Sequence, residues 1–467
     1  MNDPAHRWRA AAVVAASLVP YTAARAEPSI ADLLQRIEEQ EQKILVLERK
    51  LEIKEEADKS TASSVAVVKA SSRGFSISSA DSKNQVKLRG VLHVDGRALT
   101  SDDPGDVTDT WQATRVRPIV EGTLGGIFDF RFTPDFGQGR TVIQDAYVVG
   151  RFAASFQVTA GKFKSPVGLE RLQSASDIRF VARGFPTNLA PNRDLGLQVG
   201  GNLLGDRLSY AVAWLNGSND GASSETFSDS DPNSDKEWAG RLFAHPFAAS
   251  DSFALRGLGL GIAATYTNQA GTAAQTLLPT YRTPGQSTFF RYRTGATPTL
   301  ASGERTRTAP QFYYYVGSLG LLGEYTRVSQ DVARTTTTGM REASLDTTAW
   351  QLAVSWLLTG EEATFRGFEP NSAFSLDSDT WGAFELVARY HVLDPDDDAF
   401  TGGADSFADP NVSARKASAW GLGLDWYLND NLKWVLNYER TSFEGGDAGG
   451  ADREGEQAIL TRFAVAF

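Results

Sequence analysis

The chain has 467 residues, with 46 Lys plus Arg against 57 Asp plus Glu, no Cys and a mean hydropathy of −0.28. The absence of cysteine excludes a disulfide framework and a thiolate metal site, and a net charge of −11 argues against a nucleic-acid partner. Outside the extreme N-terminus no apolar run approaches the ~20 residues of a spanning helix, so any membrane crossing has to be made by strands.

At the N-terminus His6, Arg7 and Arg9 precede an apolar stretch, Ala10–Val19, and Ala24-Arg25-Ala26 offers small residues where a signal peptidase reads. Residues 1–26 are therefore expected to be a secretory signal peptide, with the mature chain starting at Glu27.

Residues 27–57 read as a helix with a heptad seam. Ile30, Ile37, Ile44 and Leu51 take position a, and Leu33, Gln40, Leu47 and Lys54 take position d. Basic g residues precede acidic e residues in Arg36–Glu41, Lys43–Glu48 and Lys50–Glu55, pairs that bridge neighbouring chains in a parallel coiled coil. A lone helix of this length is marginal in water, so a short homo-oligomeric coiled coil on the periplasmic side is expected. The Ser/Ala-rich stretch 58–73 reads as a linker.

From residue 74 onward the pattern has period two. Val86, Leu88, Gly90, Leu92, Val94, Gly96 and Ala98 share one face, and Lys87, Arg89, Val91, His93, Asp95 and Arg97 the other. Fifteen more such segments follow, near 110–123, 127–135, 142–151, 155–163, 195–203, 207–215, 236–245, 253–267, 307–317, 319–330, 346–358, 380–393, 417–428, 432–443 and 456–467. Tight turns fall after even-numbered segments and long polar loops after odd ones: 164–194, 216–235, 268–306, 331–345, 394–416 and 444–455. An even count, alternating faces and this short/long asymmetry predict a 16-stranded antiparallel transmembrane β-barrel of the outer-membrane type over residues 74–467. The long 359–379 segment breaks the rule, because a short turn belongs there.

Several motifs stand in order between Phe130 and Gly200: Pro134-Asp135-Phe136-Gly137, Gln144-Asp145-Ala146-Tyr147, Gly161-Lys162-Phe163-Lys164, Gly168-Leu169-Glu170, and the run Leu189 to Gly196. Leu215-Asn216-Gly217, Leu358-Thr359-Gly360-Glu361, and Trp381 to Glu385 with Arg389-Tyr390 continue the series. In these motifs the chain resembles the phosphate- and polyphosphate-selective porins of Gram-negative outer membranes. The resemblance implies a trimer of sixteen-stranded barrels in outer-membrane lipid, each pore narrowed by an inward-folded loop, here 164–194. It implies inorganic phosphate, polyphosphate or other small anions as the transported species, and no cofactor. Phe467 is similar to the terminal aromatic that outer-membrane assembly reads.

Carried over residue by residue, the resemblance implies an anion-binding constriction made of Arg171, Ser174 and Arg183 from the loop, Arg115 and Arg117 from the second strand, and Asp145 from the fourth. Arg171 stands where the family usually has Lys, Arg115-Val116-Arg117 replaces a contiguous Arg pair, and Ala182 replaces an acid. Between Phe130 and Gly200 nine bases face five acids, a local +4 in an acidic chain. Lys87, Arg89, Arg97, Arg131, Lys162, Lys164 and Arg193 are further expected pore-lining bases. Arg282, Arg291, Arg293, Arg305 and Arg307 are candidates for a basic ladder at the mouth. Guanidinium forks suit phosphate oxygens, and transport requires binding loose enough for release. A general diffusion porin and a sugar porin share this barrel, and the contiguous Tyr313, Tyr314 and Tyr315 suit an interfacial girdle better than a sugar slide. His93 and His391 carry no nucleophile motif with them, so an enzyme is not expected.

Overall fold

A computed structural model describes residues 29–62, 66–101, 106–231 and 233–467. The expected signal peptide lies outside these residues. The described chain forms two units divided at residue 65.

The first unit is a helix, Ile30–Ala62, which runs past the expected end at 57. Its heptad residues Ile30, Leu33, Ile37, Ile44, Leu47 and Leu51 are each at least 45% exposed, an apolar stripe that nothing in its own unit covers. The expected linker is partly structured: Val67–Ser71 and Gly74–Ser78 form a hairpin whose second strand pairs with the start of the barrel.

The barrel has sixteen staves: β1 (Gln85–Leu99), β2 (Thr110–Leu124), β3 (Phe128–Asp135), β4 (Val142–Ala153), β5 (Phe156–Lys164), β6 (Arg193–Leu203), β7 (Leu208–Leu215), β8 (Glu237–Ala244), β9 (Leu258–Ala270), β10 (Thr299–Val316), β11 (Leu319–Thr336), β12 (Gly339–Leu357), β13 (Ala383–Asp394), β14 (Ala414–Tyr427), β15 (Leu432–Gly445) and β16 (Glu456–Ala466). Each pairs antiparallel with its neighbours, and β16 closes onto β1 from Ala458↔Leu99 to Ala466↔Val91. Closure satisfies every stave edge internally, the condition for strands in hydrocarbon. The two faces sort as the sequence alternates. On β12, Trp350, Leu352, Val354 and Trp356 are exposed on the outside, while Ala349, Gln351 and Ser355 are buried inside.

At the short-turn end the outer surface carries an aromatic girdle, with Phe384 stacked on Trp426 at 5.8 Å and Trp434 on Phe463 at 6.1 Å. The terminal Phe467 pairs its backbone with Gly90. A Cβ on Gly90 would lie 2.6 Å from the Phe467 ring, so any larger residue there would displace that ring.

The wall is uneven: β10, β11 and β12 have 18, 18 and 19 residues, whereas β3, β7 and β8 have eight each. The expected loop 331–345 is accordingly strand, with β11 and β12 joined through a two-residue turn after Thr336. Its Thr-rich polarity belongs to a hairpin with water on its faces, which period-two reading cannot tell from a loop. Likewise β10 starts at Thr299 instead of 307, and β9 starts at Leu258, after a helical turn, Phe253–Arg256.

Several connections turn inward among the described residues. The stretch 165–192 between β5 and β6 crosses the lumen to the opposite wall, where Leu169 N donates to Glu324 on β11 at 2.6 Å and Val181 N to Asn437 on β15 at 2.8 Å. The stretch 271–298 sends Tyr281, Phe289 and Phe290 into a core with Phe185, Leu393 and Phe443. The anomalous connection 358–382 also enters: Phe365 stacks on Tyr313 at 5.0 Å, and its carbonyl accepts from Gln173 Nε2 at 2.9 Å. Its length is explained by this docking.

Candidate functional site: bases of the inner loop and wall

The inner loop 165–192 is held as a rigid crosspiece by carboxylates. Glu324 accepts from the Leu169 and Glu170 amides, and Glu170 accepts from the Gly184 amide at 2.8 Å. Gln351 Nε2 ties the two carboxylates together at 3.0 and 2.7 Å. Gly184 presses so closely on this amide that a Cβ would come within 1.9 Å of Gln351 Oε1. Further round, the Phe185 amide donates to His391 Nδ1, and Arg462 donates to the Val181 carbonyl.

The acids spent on anchoring leave several bases without carboxylates. Arg171 Nη2 donates to the Thr187 carbonyl at 2.5 Å. Arg183 donates to the carbonyls of Glu170 at 3.0 Å and Gln173 at 3.2 Å. Lys164 donates to the carbonyls of Leu172 and Gln173. Arg115 faces His93 Nδ1 at 2.9 Å. None of these four has a carboxylate within salt-bridge reach among the described residues. Carbonyl dipoles orient a cation without cancelling its charge, so the positive field persists. Burial, then the neighbouring Arg183 and Arg193, pull the Arg171 pKa down to about 9. Burial lowers Arg183 to about 10, with Arg193, Arg462 and Arg117 adding to it and Glu170 opposing. Two like charges ~6 Å apart at an effective dielectric of ~20 repel by about 3 kcal/mol, which an anion entering between them would offset.

Of these four bases Lys164 lines a cavity of about 600 Å³, together with Arg89, Arg117, Arg131, Asp145, Ser174, Asp177, Arg193 and Arg366 among others. Of the six expected constriction residues, Arg117, Asp145 and Ser174 line it directly. Arg115 and Arg117 do share the inner face, opposite His93 and Val91, past an extra residue at Thr114. Ser174 is exposed, its hydroxyl 2.8 Å from that of Ser176. Arg117 is tied to Asp135 at 2.8 Å, and Asp145 lies between Arg193 at 2.9 Å and Arg131 at 3.6 Å. Asp145 is thus already neutralised by two guanidiniums. Arg89 and Arg131 share Glu121.

Other expected bases lie elsewhere. Lys162 is 2% exposed and held by Glu225 and Asp229 of the 216–236 loop, so it offers no charge to the cavity. Lys87 is exposed, and Arg97 donates to the Thr108 and Gly285 carbonyls. The mouth ladder is broken. Arg305 and Arg307 are buried on β10 around Glu237 and Asp220, at 2.6 to 2.7 Å, because they pin the 216–236 loop to the wall. Arg293 pairs with Asp409. Arg282 and Arg291 remain exposed on a hairpin whose opposite face, Tyr281 and Phe290, is buried.

Sequence reasoning gave no site role to Arg366 or Arg241, and counted Arg179 only among the nine bases of the 130–200 segment. Parity on β8 puts Arg241 inside and could have found it. Arg366 gave no signal beyond the excess length of its connection. Arg179, on the inner loop, pairs with Glu385 at 2.5 Å, and that carboxylate raises its pKa against the effect of burial.

Comparison with known proteins gives the same architecture. The family described as "Phosphate-selective porin O and P" matches residues 86–467. Among solved structures, the outer membrane channel DcaP of Acinetobacter baumannii aligns with a TM-score of 0.51 and 11% identity, over 82% of this chain and 97% of that one. The anion-selective porin from Comamonas acidovorans aligns at 0.48 and 13% identity, over 82% and 100%. OmpT, an outer membrane protein of Vibrio cholerae, aligns at 0.48 and 11%, over 82% and 98%. No curated protein matches the chain.

Proposed function

The chain belongs to the family of phosphate-selective porins O and P, and from that premise we propose that phosphate and polyphosphate are the anions its pore selects, at a constriction formed by Arg115, Arg117, Lys164, Arg171, Arg183 and Arg193. The protein is an anion-selective porin of the outer membrane. What supports four of these residues is one observation: Arg115, Lys164, Arg171 and Arg183 hold backbone carbonyls or a histidine, and no carboxylate, among the described residues; Arg117 and Arg193 are paired with Asp135 and Asp145 and enter as cavity-lining bases.

An oxyanion entering this ring exchanges water for guanidinium and ammonium donors, with the Ser174 hydroxyl as a further donor. Asp145, bound by Arg193 and Arg131, limits the depth of the well, so the ion can leave. Arg282 and Arg291 extend the positive field outward. We place the Ile30–Ala62 helix in the periplasm, its exposed stripe pairing with copies of itself in a homotrimer.

Planar-bilayer recording tests the proposal. Chloride current through purified protein falls as phosphate is added at low concentration. A current that favours cations, or one that phosphate never blocks, would return the protein to the general diffusion class.

A further inference from the structure

Beyond the basic cavity lies a second, differently built one. Thr159 and Gln198 line both, so the two are neighbours on the inner wall. The second has a volume of about 220 Å³, the liquid volume of roughly seven waters. Its floor is the inner-face row Gln157↔Gly200↔Ala211↔Arg241, three strand spacings or ~14 Å wide. Gly200 and Ala211 in the middle of the row hollow it. The amides of Gln157, Gln198 and Asn202 make no side-chain hydrogen bond to protein among the described residues. At one end stands Arg241. Its guanidinium lies 4.5 Å from the Phe243 ring centre, makes its one side-chain hydrogen bond among the described residues to Gln311 Oε1 at 3.3 Å, and leaves a buried Nε without a partner. No carboxylate bridges it among the described residues.

The Ser209 and Tyr210 hydroxyls are already spent on the Phe243 and Ser155 carbonyls, but a lone oriented guanidinium beside a row of free amides is not what a bare inorganic anion needs. It fits a molecule with an anionic head and a hydroxylated body. We propose that this cavity is a subsite for small phosphomonoesters of polyols, with the phosphoryl group on Arg241 and the hydroxyls against Gln157, Gln198 and Asn202. The subsite rests on the anion-conducting reading of the pore and extends its cargo from inorganic phosphate to organic esters. Arg241 supplies charge-assisted hydrogen bonds to the phosphoryl oxygens. The amides can each donate and accept, as a hydroxyl requires.

The test uses a matched pair, glycerol 3-phosphate and propyl phosphate, which share charge and skeleton and differ in two hydroxyls. Block of chloride current is measured on the full chain in planar bilayers, with inorganic phosphate as a third blocker. Glycerol 3-phosphate blocks at a roughly tenfold lower concentration than propyl phosphate, as two hydrogen bonds of ordinary strength give. In Gln157→Ala/Asn202→Ala the two esters become equal while inorganic phosphate blocks as before. In Arg241→Gln both esters weaken. Equal block by the two esters on the unmodified protein overturns the subsite, as does an ester preference that survives the double substitution. If inorganic phosphate itself gives no block, it is the anion-porin reading that fails, and the subsite falls with it.

Discussion

Lys164 and Arg183 converge on one carbonyl: the Nζ of the first and the Nη2 of the second both donate to the Gln173 oxygen, at 2.7 and 3.2 Å. Lys164 ends stave β5 and Arg183 lies on the far limb of the inner loop, so this contact clamps the loop's two limbs. One peptide dipole cannot neutralise two cations. The clamp fixes their position and leaves their charge to act on the lumen.

The first prediction concerns that charge. Arg171→Glu with Arg183→Glu changes the ring by four units and abolishes anion preference, seen as a shift of the reversal potential in a salt gradient toward the cation side. Arg183→Gln alone keeps a donor but loses the charge, and weakens phosphate block by about 10-fold, the worth of one charge-assisted hydrogen bond. Reversal potentials identical to the unmodified channel in the double variant would show that the loop does not line the pore.

A second prediction follows from Asp177, which lines the same cavity. Burial raises its pKa, against the hydrogen bond from Ser176 and the positive charges of Lys433, Arg179 and Lys164. A raised carboxyl loses its charge as pH falls through a value above the usual ~3.9. The same shift costs the fold some stability at neutral pH and returns it as pH drops through that value. Anion selectivity therefore rises on going from neutral to mildly acidic solution. Asp177→Asn shows the higher selectivity already at neutral pH, and the acid-side rise is gone. A variant with the unmodified channel's pH profile would assign the effect to another group.

The barrel was legible in the sequence because its rule is local. Period two sorts Val86 from Lys87 and Trp350 from Gln351 without any knowledge of partners, and each of the sixteen staves overlaps a segment that alternation marks, although β10, β11 and β12 run well past the expected bounds. Alternation also put Arg115 and Arg117 on one inner face. What escaped depends on pairs distant in sequence. Arg305 and Arg307 read as a free ladder, yet Glu237, some seventy residues earlier, buries both. Lys162 was lost to Glu225 and Asp229 in the same way. The docking of 358–382 against Gln173 and Tyr313 has no periodic signature, so Arg366 was invisible until the fold brought it in.

A third prediction addresses the crosspiece. Glu324→Ala leaves the Leu169 and Glu170 amides without acceptors and removes one of two carboxylates gripping Gln351. Each buried amide so orphaned costs about 1–3 kcal/mol. That loss falls on the loop, because the β11 ladder uses backbone groups alone. Open-channel noise increases, conductance rises and phosphate block weakens, while the detergent-resistant folded barrel persists on gels. Quiet recordings with unaltered block would mean that Glu170 alone suffices to hold the loop.

The final prediction tests the helix. Six heptad residues from Ile30 to Leu51 are at least 45% exposed, and a helix of 33 residues with an uncovered apolar seam gains little by itself. Three such helices in parallel would cover their seams and set Arg36, Lys43 and Lys50 against the glutamates of the neighbour. Gln40 and Lys54 at d positions keep that bundle weak, so the helix assists assembly without dictating it. Deleting residues 30–56 leaves a folded, conducting barrel and lowers the yield of trimers on native gels. Ile37→Asp with Ile44→Asp reproduces the loss with the helix retained. Full trimer yield in both variants would show that the barrel walls alone drive association, and that the exposed stripe serves a partner other than its own copies.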